Sequence, residues 1–74
     1  MSKPRTSMMI QTIIEEYEIT TYWSGLEFIV TAVRLGMPTP RLFRALKCEV
    51  DAIKLHNKLI FLIDQRLYSE IANV

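Results

Sequence analysis

Apolar residues recur along the first part of this chain at spacings close to those of a helix. Ile10, Ile13, Ile14 and Tyr17 gather on one side of a helical projection, while Glu15, Glu16 and Glu18 fall mostly on the other. With Thr6 or Ser7 as the capping residue, this spacing predicts a first helix over about residues 7–18. The β-branched run Ile19-Thr20-Thr21 weakens helical propensity and marks its end.

A second start signal follows at Ser24-Gly25-Leu26-Glu27. Here a serine hydroxyl can accept from the Glu27 amide, the pattern of a capping box. Trp23 and Phe28 flank it at the two positions of a hydrophobic staple. Leu26, Ile29, Val30 and Val33 then mark one face, Gly36 suits a left-handed C-terminal cap, and Pro38 blocks continuation. A helix over about 25–35 is the expectation.

Thr39 and Pro40 open a third segment, and no glycine or proline occurs after Pro40. A single helix over about 40–71 is therefore expected, near 45 Å long at about 1.5 Å per residue. Leu46, Ile53, Ile60 and Leu67 repeat every seven residues, flanked by Leu42, Val50, Ile63 and Ile71, a coiled-coil-like seam. A second ridge of Cys48, Leu55, Leu59 and Leu62 lies on another face. A rod apolar on two sides must be covered on two sides. The expected fold is all-α: a tail over 1–6, then one helical domain over 7–74. It forms a homo-oligomer, a dimer first of all, through Leu46, Val50, Ile53, Ile60, Ile63, Leu67 and Ile71.

Length and composition narrow this without redirecting it. Seventy-four residues allow one domain, half of them apolar, and such a small core usually needs help from a metal, disulfides or a partner copy. The single cysteine, Cys48, excludes an intramolecular disulfide. No apolar run reaches the roughly 18 to 20 residues of a membrane span. The basic start meets Glu15 and Glu16 too soon for a signal peptide, so a cytoplasmic protein without membrane contact is expected.

Net charge is only +1, but six of the nine basic residues lie between Arg34 and Lys58, opposed there by Glu49 and Asp51. Within that block, Phe28 to Lys47 (FIVTAVRLGMPTPRLFRALK) resembles a helix-turn-helix segment of the Fis-like kind. Ala32 precedes the turn residue Gly36 by four, Met37 follows it, and Leu42 and Leu46 serve as anchors. The resemblance implies a recognition helix that offers Thr39, Arg41, Arg44 and Lys47 to the major groove of double-stranded DNA. Lys54 and Lys58 extend the stripe toward phosphates. It also implies a dimeric transcriptional regulator. A plainer reading stands beside it, in which Gly36 to Pro40 merely joins two antiparallel helices and the basic stripe is a solvated face.

Chemistry-bearing patterns are sparse. Glu49, His56 and Asp64 are separated by seven and eight residues, over 10 Å along a helix, which is too far to share one ion. No metal site is expected, and His56 reads as structural or interfacial. Cys48 reads as an inert packed thiol. Without a phosphate loop or a nucleophile elbow, neither an enzyme nor a cofactor is expected. Met8, Met9, Tyr17, Tyr22, Trp23 and Phe28 are residue types that grip other proteins. They give a second functional reading, a small inhibitor or adaptor that binds a larger protein, by analogy with small proteins of phages and mobile elements. A self-assembling helical scaffold is the third.

Overall fold

A computed structural model describes residues 9–74, so the expected tail, the Thr6 or Ser7 cap and Met8 lie outside the described residues. The fold is not all-α. Among the described residues four strands, β1 (Met9–Ile14), β2 (Tyr17–Trp23), β3 (Phe28–Arg34) and β4 (Leu42–Leu46), precede a single α-helix, α1 (Glu49–Asp64), and a short 3-10 helix at Tyr68–Asn73. The strands form one antiparallel sheet in chain order, β1-β2-β3-β4. Neither the helix expected over 7–18 nor that expected over 25–35 exists. The helix-turn-helix pair implied over 28–47 is absent too, because β3, a loop and β4 occupy that stretch.

Alternation decided this, and it was disguised. On β2, Tyr17, Ile19 and Thr21 are buried while Glu18, Thr20 and Tyr22 are half-exposed, the period of two that a half-buried strand requires. β1 places Ile10, Thr12 and Ile14 on the covered side and Met9, Gln11 and Ile13 on the open one. Because Ile13 and Ile14 are apolar on opposite faces, the same residues also satisfy helical spacing. The run Ile19-Thr20-Thr21, a weak helix former, is a good strand former for the same stiffness of its side chains.

The two early turns fix the register. Glu15 and Glu16 join β1 to β2, with Ile14 opposite Tyr17. Ser24, Gly25, Leu26 and Glu27 join β2 to β3, with Trp23 opposite Phe28 and their rings 4.6 Å apart. Gly25 sits at φ +99°, a turn conformation that glycine adopts without steric cost. The Ser24 hydroxyl does accept from the Glu27 amide, at 3.1 Å, and the Ser24 amide donates to the Glu27 carbonyl at 2.9 Å. The capping-box residues thus close a hairpin instead of opening a helix.

α1 crosses one face of the sheet. Ala52, His56, Leu59 and Ile63, at helical spacing, are buried against Tyr17, Ile19, Val30, Ala32 and Leu42, and Ile71 of the 3-10 helix completes the core. Each large apolar side chain so covered contributes roughly 1.5 to 3 kcal/mol. The N-cap, Cys48, is extended and makes no side-chain cap bond, but Glu49 and Asp51 complement the helix dipole in the first turn. At the other end the Leu67 amide donates to the Leu62 carbonyl at 2.8 Å and the Arg66 amide to that of Ile63 at 3.0 Å. This is a Schellman closure with Arg66 in the left-handed position, φ +60°. The helix stops there without glycine or proline.

The coiled-coil-like seam is consequently corrected. Its heptad members are dispersed, with Leu46 on β4, Ile53 and Ile60 on α1, and Leu67 beyond the helix. Ile63 and Ile71 are wholly buried inside one chain, Leu46, Ile53 and Ile60 are half-buried, and only Val50 and Leu67 are exposed. No helix among the described residues is long and apolar enough to cross a membrane.

Candidate functional site

One end of the sheet gathers the β1–β2 turn, the end of β3, the entry to β4 and the segment leaving α1. Between them lies a cavity of about 390 Å³, lined by Glu15, Glu16, Tyr17, Arg34, Arg41, Arg66 and Tyr68. Three guanidinium groups face two carboxylates, so the site carries excess positive charge. Its size lies within the range of small-ligand and side-chain pockets.

Each group is held differently. Arg34 donates from Nε and Nη2 to Glu16 Oε1 at 3.0 and 2.8 Å, an exposed ion pair. The hydrogen bond to Glu16, and then that carboxylate's charge, push the Arg34 guanidinium further up from its already high pKa. Arg41 reaches from Nη1 to the Tyr17 hydroxyl and from Nη2 to the Tyr68 carbonyl, both at 3.4 Å. The rings of Tyr17 and Tyr68 stack with centroids 5.5 Å apart and planes 27° from parallel, giving the cavity a flat aromatic wall. Bonds as long as those of Arg41 leave most of a guanidinium's five donors for a ligand.

Backbone strain concentrates here. Glu15 and Arg66 are the two non-glycine residues with positive φ among the described residues, and both line this cavity. A left-handed conformation costs a non-glycine residue about 1 to 3 kcal/mol, and such positions cluster at binding sites. Replacing Glu15 by glycine relieves that cost without removing an arginine. Glu15→Gly is expected to raise the unfolding free energy by about 1 kcal/mol, a rise in Tm of roughly 4 to 8 °C. A melting curve checks it, and an unchanged or lower Tm would show that the Glu15 side chain repays its own strain.

The six residues expected to contact DNA are scattered by the fold. Thr39 lies exposed in the β3–β4 loop, Arg41 is in the cavity, and Lys47 is exposed between β4 and α1. Arg44 is half-buried on β4, its guanidinium donating to the Val74 carbonyl at 2.6 Å and to that of Phe43 at 3.3 Å. Lys54 and Lys58 are exposed on α1. Only Arg41 joins the site described above. Arg34 and Arg66 escaped the sequence reading because their convergence depends on a turn and a helix stop that no glycine announces.

His56 has a different environment. Its ring is buried between two strand hydroxyls, Thr12 Oγ1 at 2.9 Å from Nε2 and Thr21 Oγ1 at 2.7 Å from Nδ1. A neutral imidazole donates to one and accepts from the other. Burial lowers the His56 pKa, which favours that neutral form. Both ring nitrogens are thereby engaged, so His56 locks α1 to β1 and β2. Among the described residues no three histidine, cysteine, aspartate or glutamate side chains come together to hold a metal ion. Set against protein-family models, curated proteins and solved structures, the chain gives no significant match to any of the three.

Proposed function

We propose that the protein is a small interaction module that grips an acidic segment of a larger protein with the arginine-tyrosine end of its sheet. The observation that carries this reading is the convergence of Arg34, Arg41 and Arg66 with a stacked tyrosine pair on one cavity. Arginine and tyrosine are the residues most often found to dominate binding energy at protein interfaces. Beside them in sequence stand the exposed apolar residues Leu35, Met37 and Leu67. The Leu35 amide bonds to the Glu16 carbonyl and the Met37 amide to that of Arg34, which ties these residues to the same end of the fold. Apolar anchors beside bidentate cation donors suit a partner that offers a carboxylate next to a hydrophobic side chain.

Double-stranded DNA is the competing ligand. The resemblance that suggested it needs a recognition helix, and β3 and β4 stand in that place. The test is affinity capture with the wild-type chain, with Arg41→Glu/Arg66→Glu, and with Lys54→Glu/Lys58→Glu on the helix. A protein partner should bind the wild type and the lysine variant, and bind the arginine variant at least about tenfold more weakly. Retention of nucleic acid alone, or partner loss confined to the lysine variant, refutes the proposal. Arg66→Gly adds a sharper arm. It should weaken capture while raising Tm, because it removes both a cation and a strained backbone.

A further inference from the structure

We infer that two copies of this chain pair edge to edge through β1, joining their sheets into one of eight strands. The backbone groups of β1 divide into a set bonded to β2 and a set facing outward. A two-residue hairpin closes on a hydrogen-bonded pair, here Ile14 with Tyr17, and hydrogen-bonded pairs then alternate along the ladder. Ile10, Thr12 and Ile14 therefore spend their N–H and C=O groups on β2, opposite Thr21, Ile19 and Tyr17. The next strand agrees with this phase: the Leu35 amide donates to the carbonyl of Glu16, so the even-numbered residues of β2 bond toward β3. Met9, Gln11 and Ile13 are left with their donors and acceptors pointing away from the sheet.

Among the described residues, that edge carries none of the devices that usually prevent pairing. Met9–Ile14, MIQTII, contains no charged residue, no proline and no glycine. The opposite edge differs. β4 is shorter, carries Arg44, and is tied to the end of the chain by Arg44 on the Val74 carbonyl and Arg41 on that of Tyr68.

The free groups of β1 are complementary to themselves. Antiparallel pairing about a two-fold axis at Gln11 sets Gln11 opposite Gln11 and Met9 opposite Ile13 of the second copy, each a pair with outward N–H and C=O groups. Residues directly opposite lie on the same face, so both copies keep α1 on the same side. Met9 and Ile13 are 63% and 64% exposed in the single chain, and this register covers each with the other. An uncharged strand meets an uncharged strand, and each Gln11 side chain stays bonded to Glu18 of its own β2, so the backbone groups and the Met9–Ile13 contacts set the alignment. A second copy fits because every donor finds an acceptor and each exposed apolar side chain finds another.

Gln11→Pro tests this, since it removes an outward N–H along with the exposed side-chain bond to Glu18, and edge strands accept proline with that side toward solvent. Ile13→Lys, a charge on the same edge, serves as the second variant, and Val50→Glu on the outer side of α1 as the control. Sedimentation equilibrium from micromolar to millimolar concentration should give the wild type and Val50→Glu as dimers of twice 8.6 kDa. Gln11→Pro and Ile13→Lys should shift the dissociation constant upward by at least tenfold while circular dichroism stays that of the native fold. A wild type that remains a single chain throughout overturns the inference. Both edge variants dimerising as the wild type does would overturn it equally, as would a dimer broken by Val50→Glu alone.

Discussion

Leu59→Ala is expected to lower the unfolding free energy by roughly 3 to 5 kcal/mol, since it empties a wholly buried site between α1 and the sheet. A domain of this length has a total stability of only about 5 to 10 kcal/mol, so the variant should lose from about a third to nearly all of it. Val50→Ala and Leu67→Ala, at positions 56% and 44% exposed, should each cost under about 1 kcal/mol. Urea midpoints for the three variants rank the sites directly. A coiled-coil seam would reverse the order, making Val50 and Leu67 the costly positions. That reversal would contradict the helix-on-sheet core.

Thr21→Val is the second large effect. It keeps the shape of a wholly buried side chain but removes the partner of His56 Nδ1, leaving a buried ring nitrogen unsatisfied. Such a loss costs about 1 to 3 kcal/mol. The same site sets a pH dependence whose sign follows from burial. The folded state holds His56 below its ordinary pKa of 6.5, so the unfolded chain binds more protons as the pH falls past that value. His56 therefore contributes stability that is present above pH 6.5 and lost as the pH drops through the folded-state pKa, with a slope no steeper than about 1.4 kcal/mol per pH unit. His56→Gln, which cannot titrate, should lie lower at neutral pH yet show a shallower loss of stability between neutral and mildly acid conditions. Parallel curves for wild type and variant would remove His56 as the source.

Particular residues explain what could be read from the chain in advance. Hydrogen bonding at Ser24 and Glu27 was legible, but capping boxes and tight hairpins share it, and Trp23 with Phe28 satisfies a staple and a cross-strand pair alike. The positive φ of Gly36 was legible as well, though it follows a strand. Of the helix expected over 40–71, the part Glu49–Asp64 exists. Its true end was hidden because an arginine fills the left-handed position, and its true beginning because β4 (Leu42–Leu46) is apolar on both ladder phases. The cavity was scarcely legible. Arg41 stood out within the basic block, whereas Glu15, Arg34, Arg66 and Tyr68 come together only through the meander and the helix stop.

Chain order has a consequence for synthesis. Four strands joined largely by neighbouring contacts emerge from the ribosome before the single helix that roofs them. Until Leu59 and Ile63 arrive, the greasy underside formed by Ile19, Val30 and Leu42 has no lid. A chain cut short ahead of Leu59 would leave that underside bare, and bare apolar sheet is the kind of surface on which unfinished proteins aggregate.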